Sequence, residues 1–158
     1  MSEKRIALFP GSFDPFTRGH QSIVIRALSL FDEIIIAIGA NALKDGYFSL
    51  DSRERLIRDV FKDYPHVKVD HYNGLTVDYA RSLNAKFILR GIRTAADFEY
   101  ERAIAQMNRA MYPEIDSIML LTTPEHTPIN STIVRDVIRN GGDASPFIPE
   151  GVDINNYK

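Results

Sequence analysis

Ile6-Ala7-Leu8-Phe9-Pro10-Gly11-Ser12-Phe13-Asp14-Pro15-Phe16-Thr17-Arg18-Gly19-His20 is the stretch whose reading decides the fold. Its first residues form an apolar run short enough for a buried strand, which breaks at Pro10-Gly11. A helix is expected to begin at Thr17, whose hydroxyl can cap free amides. Beyond it Ile23, Ala27, Leu28 and Phe31 recur at helical spacing, so one face packs inward. A strand, a glycine-bearing turn and a helix N-terminus together offer unpaired N–H groups and a positive dipole end, which suits phosphate. Gly19 removes a side chain where a ligand could approach the backbone, and His20 falls in the first helical turn. An isolated Thr-x-Gly-His is also an ordinary helix start. The full strand–loop–helix context favours the anion-binding reading.

The same alternation continues along the chain. Glu33–Ile38 is nearly all apolar, as a strand buried on both faces should be. A helix from about Asp51 to Tyr64 follows, capped by Ser49 or Asp51, with Leu56, Ile57, Val60 and Phe61 as its stripe. Val67–His71 alternates like a more exposed strand nearer the sheet edge. After Asn73-Gly74 comes a short helix, then a strand at Lys86–Arg90, a helix at about Ala95–Met111 stopped by Pro113, and a strand at Ser117–Thr122. A last main helix runs from about Ser131 to Gly141-Gly142, followed by a short helical tail. Short apolar strands alternating with regular helices imply parallel crossovers. The expectation is one α/β domain over residues 1–158: a Rossmann-like, doubly wound, five-stranded parallel sheet of order 3-2-1-4-5.

In 158 residues there is room for a real core. The net charge of −2 gives no global excess of cations for nucleic acid, so any phosphate site must be a local cluster. Without cysteine, disulfides, zinc–thiolate sites and thiol catalysis are excluded. No apolar run approaches a membrane span, and Met1-Ser2-Glu3-Lys4 leads straight into a strand, so a cytoplasmic soluble protein is expected.

Ligands of doubly wound sheets bind outside the carboxyl ends of the strands where the winding reverses, here between the first and fourth strands. The loops converging there are Pro10–His20, Arg90–Asp97 and Thr122–Thr132, and each carries phosphate-directed residues. Arg90-Gly91-Ile92-Arg93 puts two guanidinium groups at a strand exit, where they can hold phosphate oxygens bidentately. They could equally pair with Asp97, Glu99 or Glu101 on the next helix. Asn130, Ser131 and Thr132 are small polar residues at a helix N-terminus, suited to another phosphate or to plain capping. Arg135, one turn on, could reach the same anion or be a solvated helix residue.

Gly11-Ser12-Phe13-Asp14-Pro15-x-Thr17-x-Gly19-His20 resembles the first motif of the bacterial nucleotidyltransferases. The string Arg90-Gly-Ile-Arg93-x-x-x-Asp97-Phe-Glu-Tyr-Glu101, with Met107-Asn108, is similar to the middle segment of phosphopantetheine adenylyltransferases. Ile129-Asn130-Ser131-Thr132-x-x-Arg135 resembles that family's Ile-Ser-Ser-Ser/Thr-x-x-Arg signature. Asn130 replaces the usual first serine, and His126 stands where many members carry an aromatic residue. The resemblance runs from about Arg5 to about Pro149. It implies transfer of the adenylyl group of ATP to 4′-phosphopantetheine, with Mg²⁺ carried on the nucleotide phosphates, and a homohexamer with the long helix after Arg93 near subunit contacts.

Matched position by position, the resemblance makes His20, Ser12, Lys44 and Arg90 catalytic. ATP would meet Ser12, Phe13 and His20 in the first loop and Gly91, Ile92, Arg93 and Glu101 after the fourth strand. It would also meet the segment His126, Thr127, Pro128, Ile129, Asn130, Ser131 and Thr132. The acceptor would meet Ser12, Lys44, Leu75, Thr76 and Arg90. No Ser-His-Asp triad, paired-carboxylate site or protein metal cluster is visible in the sequence, and anion alignment needs none. An adenylyl- or cytidylyltransferase for another phosphorylated acceptor is the nearest rival. A non-catalytic nucleotide sensor is the next, and the presence of His20, Ser12 and Arg90 weighs against it.

Overall fold

The structure is a computed structural model that describes residues 2–40 and 46–158. Strand β1 (Ile6–Gly11) leads through helix α1 (Arg18–Ala27) to β2 (Glu33–Gly39), α2 (Leu50–Val60) and β3 (Val67–Tyr72). Then follow α3 (Thr76–Ser82), β4 (Phe87–Ile92), α4 (Ala95–Met111), β5 (Asp116–Leu121) and α5 (Ser131–Arg139), with a 3-10 turn at Ile154–Tyr157. All pairings are parallel and the sheet order is β3-β2-β1-β4-β5, so β3 is an edge strand, as its exposed alternation suggests.

Side-chain alternation sorts the sheet residues between two cores. Ala7, Phe9, Ile34, Ile36 and Ile38 point to the face covered by α1, α2 and α5, where Val24, Ile57 and Val134 meet them. Leu8, Ile35 and Ala37 point to the opposite face, against Val77 and Ala80 of α3. β2 is therefore buried on both sides, and a polar residue inside it would face a core whichever way it pointed.

Helix starts follow local capping chemistry. Ser49 accepts from the amide of Ser52, Thr94 from Asp97, and Asn130 from Ile133. α2 ends at Val60 instead of the expected Tyr64. Pro65 disfavours helical backbone at Tyr64, and the Tyr64 amide closes a turn onto the Phe61 carbonyl.

β1 also differs from the expected break at Pro10-Gly11, because both residues stay in the ladder opposite Ala37 and Ile38 of β2. The missing N–H of Pro10 is tolerated because β1 and β4 pair only at Ala7–Phe87 and Leu8–Ile88 before parting. Where they part, the Pro10 carbonyl accepts instead from Arg90 Nη1 at 2.6 Å. That parting opens a cleft at the point where the winding reverses.

Candidate active site

The cleft has a volume of about 230 Å³ and lies between the end of β1, the start of α1, the exit of β4 and the segment before α5. Its floor and walls include Ser12, Gly19, His20, Gly91, Arg93 and Ser131. The first loop that forms one wall is held from several directions. The buried Asp14 carboxylate accepts the amides of Tyr47 at 2.8 Å and Phe48 at 2.9 Å. Arg53 donates to the Ser12 carbonyl at 2.9 Å, Arg135 to the Asp14 carbonyl at 2.7 Å, and the Ser131 hydroxyl to the Pro15 carbonyl at 2.9 Å. Gly11 is required where it stands, because a Cβ there would lie 2.8 Å from the Phe13 ring. Phe13 holds φ +48°, a left-handed backbone that the packing of its ring compensates.

His20 is the best-defined donor in this wall. Thr17 caps α1, accepting the His20 amide, while the Thr17 amide donates to His20 Nδ1 at 3.0 Å. A backbone N–H can only donate, so Nδ1 must be the lone-pair nitrogen, and the neutral ring carries its proton on Nε2. The rings of Phe13 and Phe16 stand 5.0 and 5.3 Å from the imidazole. Burial among them, followed by the charges of Arg90 and Arg93, pushes its pKa from 6.5 down to about 3. The result is a neutral imidazole with one N–H available to the cleft.

Of the partners the sequence offered Arg90, the fold selects Glu101. Its Nε and Nη2 grip the two oxygens of the buried Glu101 at 2.8 and 2.6 Å, and Nη1 holds Pro10. Three of five guanidinium hydrogens are thereby used, the fork is rigid, and two hydrogens are left for an anion. Arg93 lines the cleft and pairs with Asp97 at 3.4 Å.

Arg90, Pro10 and Gly11 also border a second chamber of about 210 Å³, which includes Tyr72, Thr76, Tyr100, Ile104 and Asn108. The two chambers thus meet across one guanidinium and one stretch of backbone.

Of the residues singled out from sequence, Ser12, Phe13, His20, Gly91, Arg93, His126, Ile129, Asn130 and Ser131 line the first chamber, Thr76 the second and Arg90 both. Glu101 lines only the second, with both oxygens on Arg90. Ile92 is buried in the fold, and Leu75 is 57% exposed beyond both chambers. Thr127, Pro128 and Thr132 do not line the cleft; Thr127 donates to the Thr123 carbonyl and Thr132 accepts from Arg135. Lys44 lies outside the described residues. Asp14 and Arg53 were missed from sequence as parts of the site, because their partners lie more than thirty positions away and leave no local signal.

The model of the cytidylyltransferase-like family matches residues 8–137, spanning this parallel sheet and the cation-lined cleft at its switch point, and makes the chain a nucleotidyltransferase. A phosphopantetheine adenylyltransferase of Flavobacterium psychrophilum is 56% identical over 150 residues, covering 95% of this chain and 99% of the relative. One from Bacteroides thetaiotaomicron is 53% identical over 151 residues, covering 96% and 99%. The chain belongs to the phosphopantetheine adenylyltransferase family. The fold is shared with a bifunctional NMN adenylyltransferase/ADP ribose pyrophosphatase from Francisella tularensis (TM-score 0.74, 21% identity, 96% of this chain and 47% of that one). Among the described residues, no helix is long and apolar enough to cross a membrane.

Proposed function

We propose that this enzyme, a single domain over residues 1–158, transfers the adenylyl group of ATP to 4′-phosphopantetheine, giving dephospho-coenzyme A and pyrophosphate. The observation that carries the assignment of its parts is the sharing of Arg90 and Pro10-Gly11 by two chambers. The nucleotide takes the first chamber, its adenine in the slot between Gly19, Ile23, Gly91 and Ile129. The pantetheine arm takes the second, more apolar chamber beside Tyr72, Tyr100 and Ile104. The two reacting phosphates then meet at Arg90.

An oxygen of the acceptor phosphate attacks the α-phosphorus. The bond from that phosphorus to the bridging β-oxygen breaks, and pyrophosphate leaves with the electron pair. A phosphate dianion is nucleophilic enough to need no base, so alignment and charge stabilisation remain the protein's work. His20 Nε2–H donates to the α-phosphate as charge builds there. Ser12 hydrogen-bonds an acceptor or α-phosphate oxygen, and Lys44 and Arg90 offset repulsion between the anions. Arg93 and the amides at the start of α5 take the β- and γ-phosphates. The described cleft residues offer amides, hydroxyls, guanidinium groups and imidazoles but no carboxylate, which suits Mg²⁺ brought on the triphosphate, not caged by protein. There the ion would neutralise charge on the leaving group.

The working form is a cytoplasmic homohexamer. In support, Glu101 is the only buried residue of α4, while Ile104, Met107 and Met111 recur at helical spacing and stand exposed, an apolar face with little cover among the described residues.

His20→Ala should lower kcat about 10²–10³-fold, the cost of one lost transition-state donor, with ATP affinity nearly unchanged. Unaltered turnover would remove His20 from the mechanism. Lys44→Ala and Arg90→Ala should raise the acceptor KM as well as lower kcat. Pyrophosphate release across a panel of phosphorylated acceptors, with ATP and with CTP, tests the choice of substrates.

A further inference from the structure

Arg18 occupies the open position of Thr17-x-Gly19-His20, two residues before the imidazole, yet it does not line the nucleotide cleft. It is turned toward the C-terminal segment instead. Its amide donates to the Phe147 carbonyl at 2.9 Å, Nε to the Ile148 carbonyl at 2.7 Å and Nη2 to the Ser145 carbonyl at 3.3 Å. Three carbonyls of one short segment therefore converge on one residue of the first helical turn.

That segment is itself anchored. Ala144 and Ile148 are buried in the main core. Farther on, the Tyr157 hydroxyl donates to Asp59 of α2 at 2.5 Å, and Arg55 lies over the Tyr157 ring at 4.9 Å. The chain after α5 thus runs as a strap from the α5 end, past the α1 N-terminus, to α2.

We propose that this strap, acting through Arg18, sets the position of the α1 N-terminus and so the aim of His20 Nε2–H. Arg18 is a positioning residue that touches no substrate. The inference rests on the catalytic reading of His20. A donor aimed at a developing charge is sensitive to small displacements. Among the described residues the first turn of α1 is tied by hydrogen bonds to the rest of the fold through Arg18 and the strap, beside its own Thr17–His20 cap and the packing of the His20 ring.

The test is a double-mutant cycle on kcat with ATP and 4′-phosphopantetheine, using the wild type, Arg18→Met, His20→Ala and the double variant. Arg18→Met is expected to lower kcat about tenfold in the wild-type background and to change it less than about twofold in the His20→Ala background. Arg18→Lys, which keeps the charge but loses the fork, should give an intermediate loss and serves if the methionine variant folds poorly. Equal losses in both backgrounds, or none in the wild type, would overturn the positioning role while leaving His20 catalytic. Normal turnover in His20→Ala alone would overturn both readings.

Discussion

His20 shows how much a single side chain depends on what surrounds it. In the unfolded chain its imidazole takes up a proton near 6.5, whereas in the fold burial and two arginines keep it neutral down to about 3. Above pH 6.5 neither state is protonated, and the stability linked to this group is fully present. As pH falls from 6.5 toward 3 only the unfolded state gains a proton, so that stability is progressively lost. His20→Asn should lack this component. Urea denaturation at pH 8, 5 and 4 is expected to show the wild type losing ground to the variant as pH falls. A pH-independent difference between them would show that the imidazole titrates normally in the fold. The sequence reading put His20 beside an anion, but neither its tautomer nor its charge was legible. Both follow from ring packing and from the donor direction of one amide.

At the scale of elements, the interesting pieces are the ends. The start of α5 reads in sequence as suited to an anion or to plain capping, and in the fold its Ser131 and Arg135 side chains bind carbonyls of the first loop. The loop before α2 is tied to the same place by Asp14, whose carboxylate satisfies two amides in a site where water cannot replace it easily. Asp14→Ala would leave those amides unpaired and should cost about 1–3 kcal/mol, read as a lowered denaturation midpoint. Activity should fall further than stability, because Ser12 and Phe13 lose their neighbouring support. Helix starts, by contrast, were readable at Thr17, at Ser49 or Asp51 and within Asn130–Thr132, since a cap and its amide lie within one turn; the fold uses Ser49 and Asn130. The β1 extension through Pro10 was not, because it depends on where β4 leaves the ladder.

For the whole molecule, the two sheet faces are covered unequally. α1, α2 and α5 bury a large core on one face, while α3 and an almost unburied α4 cover the other. Met107, 67% exposed on α4, is well placed for a subunit contact. Met107→Glu should shift the proposed homohexamer to smaller species in analytical ultracentrifugation, with far-UV circular dichroism unchanged. An unaltered mass would exclude this face as an interface. By itself, the sequence determined the α/β alternation and the family resemblance, because periodicity, capping and motif spacing are short-range properties. The order 3-2-1-4-5 and the loops it brings together were expected as the usual arrangement of such sheets, and the fold has that order. Only the tertiary structure decided that Arg90 is shared between Pro10 and Glu101, that Ser131 and Arg135 clamp the first loop, and that the cleft has two chambers. The reason is range: Arg90 meets Pro10 across 80 positions and Arg135 meets Asp14 across 121. At such distances a guanidinium has many chemically equivalent partners, and the folded geometry alone selects among them.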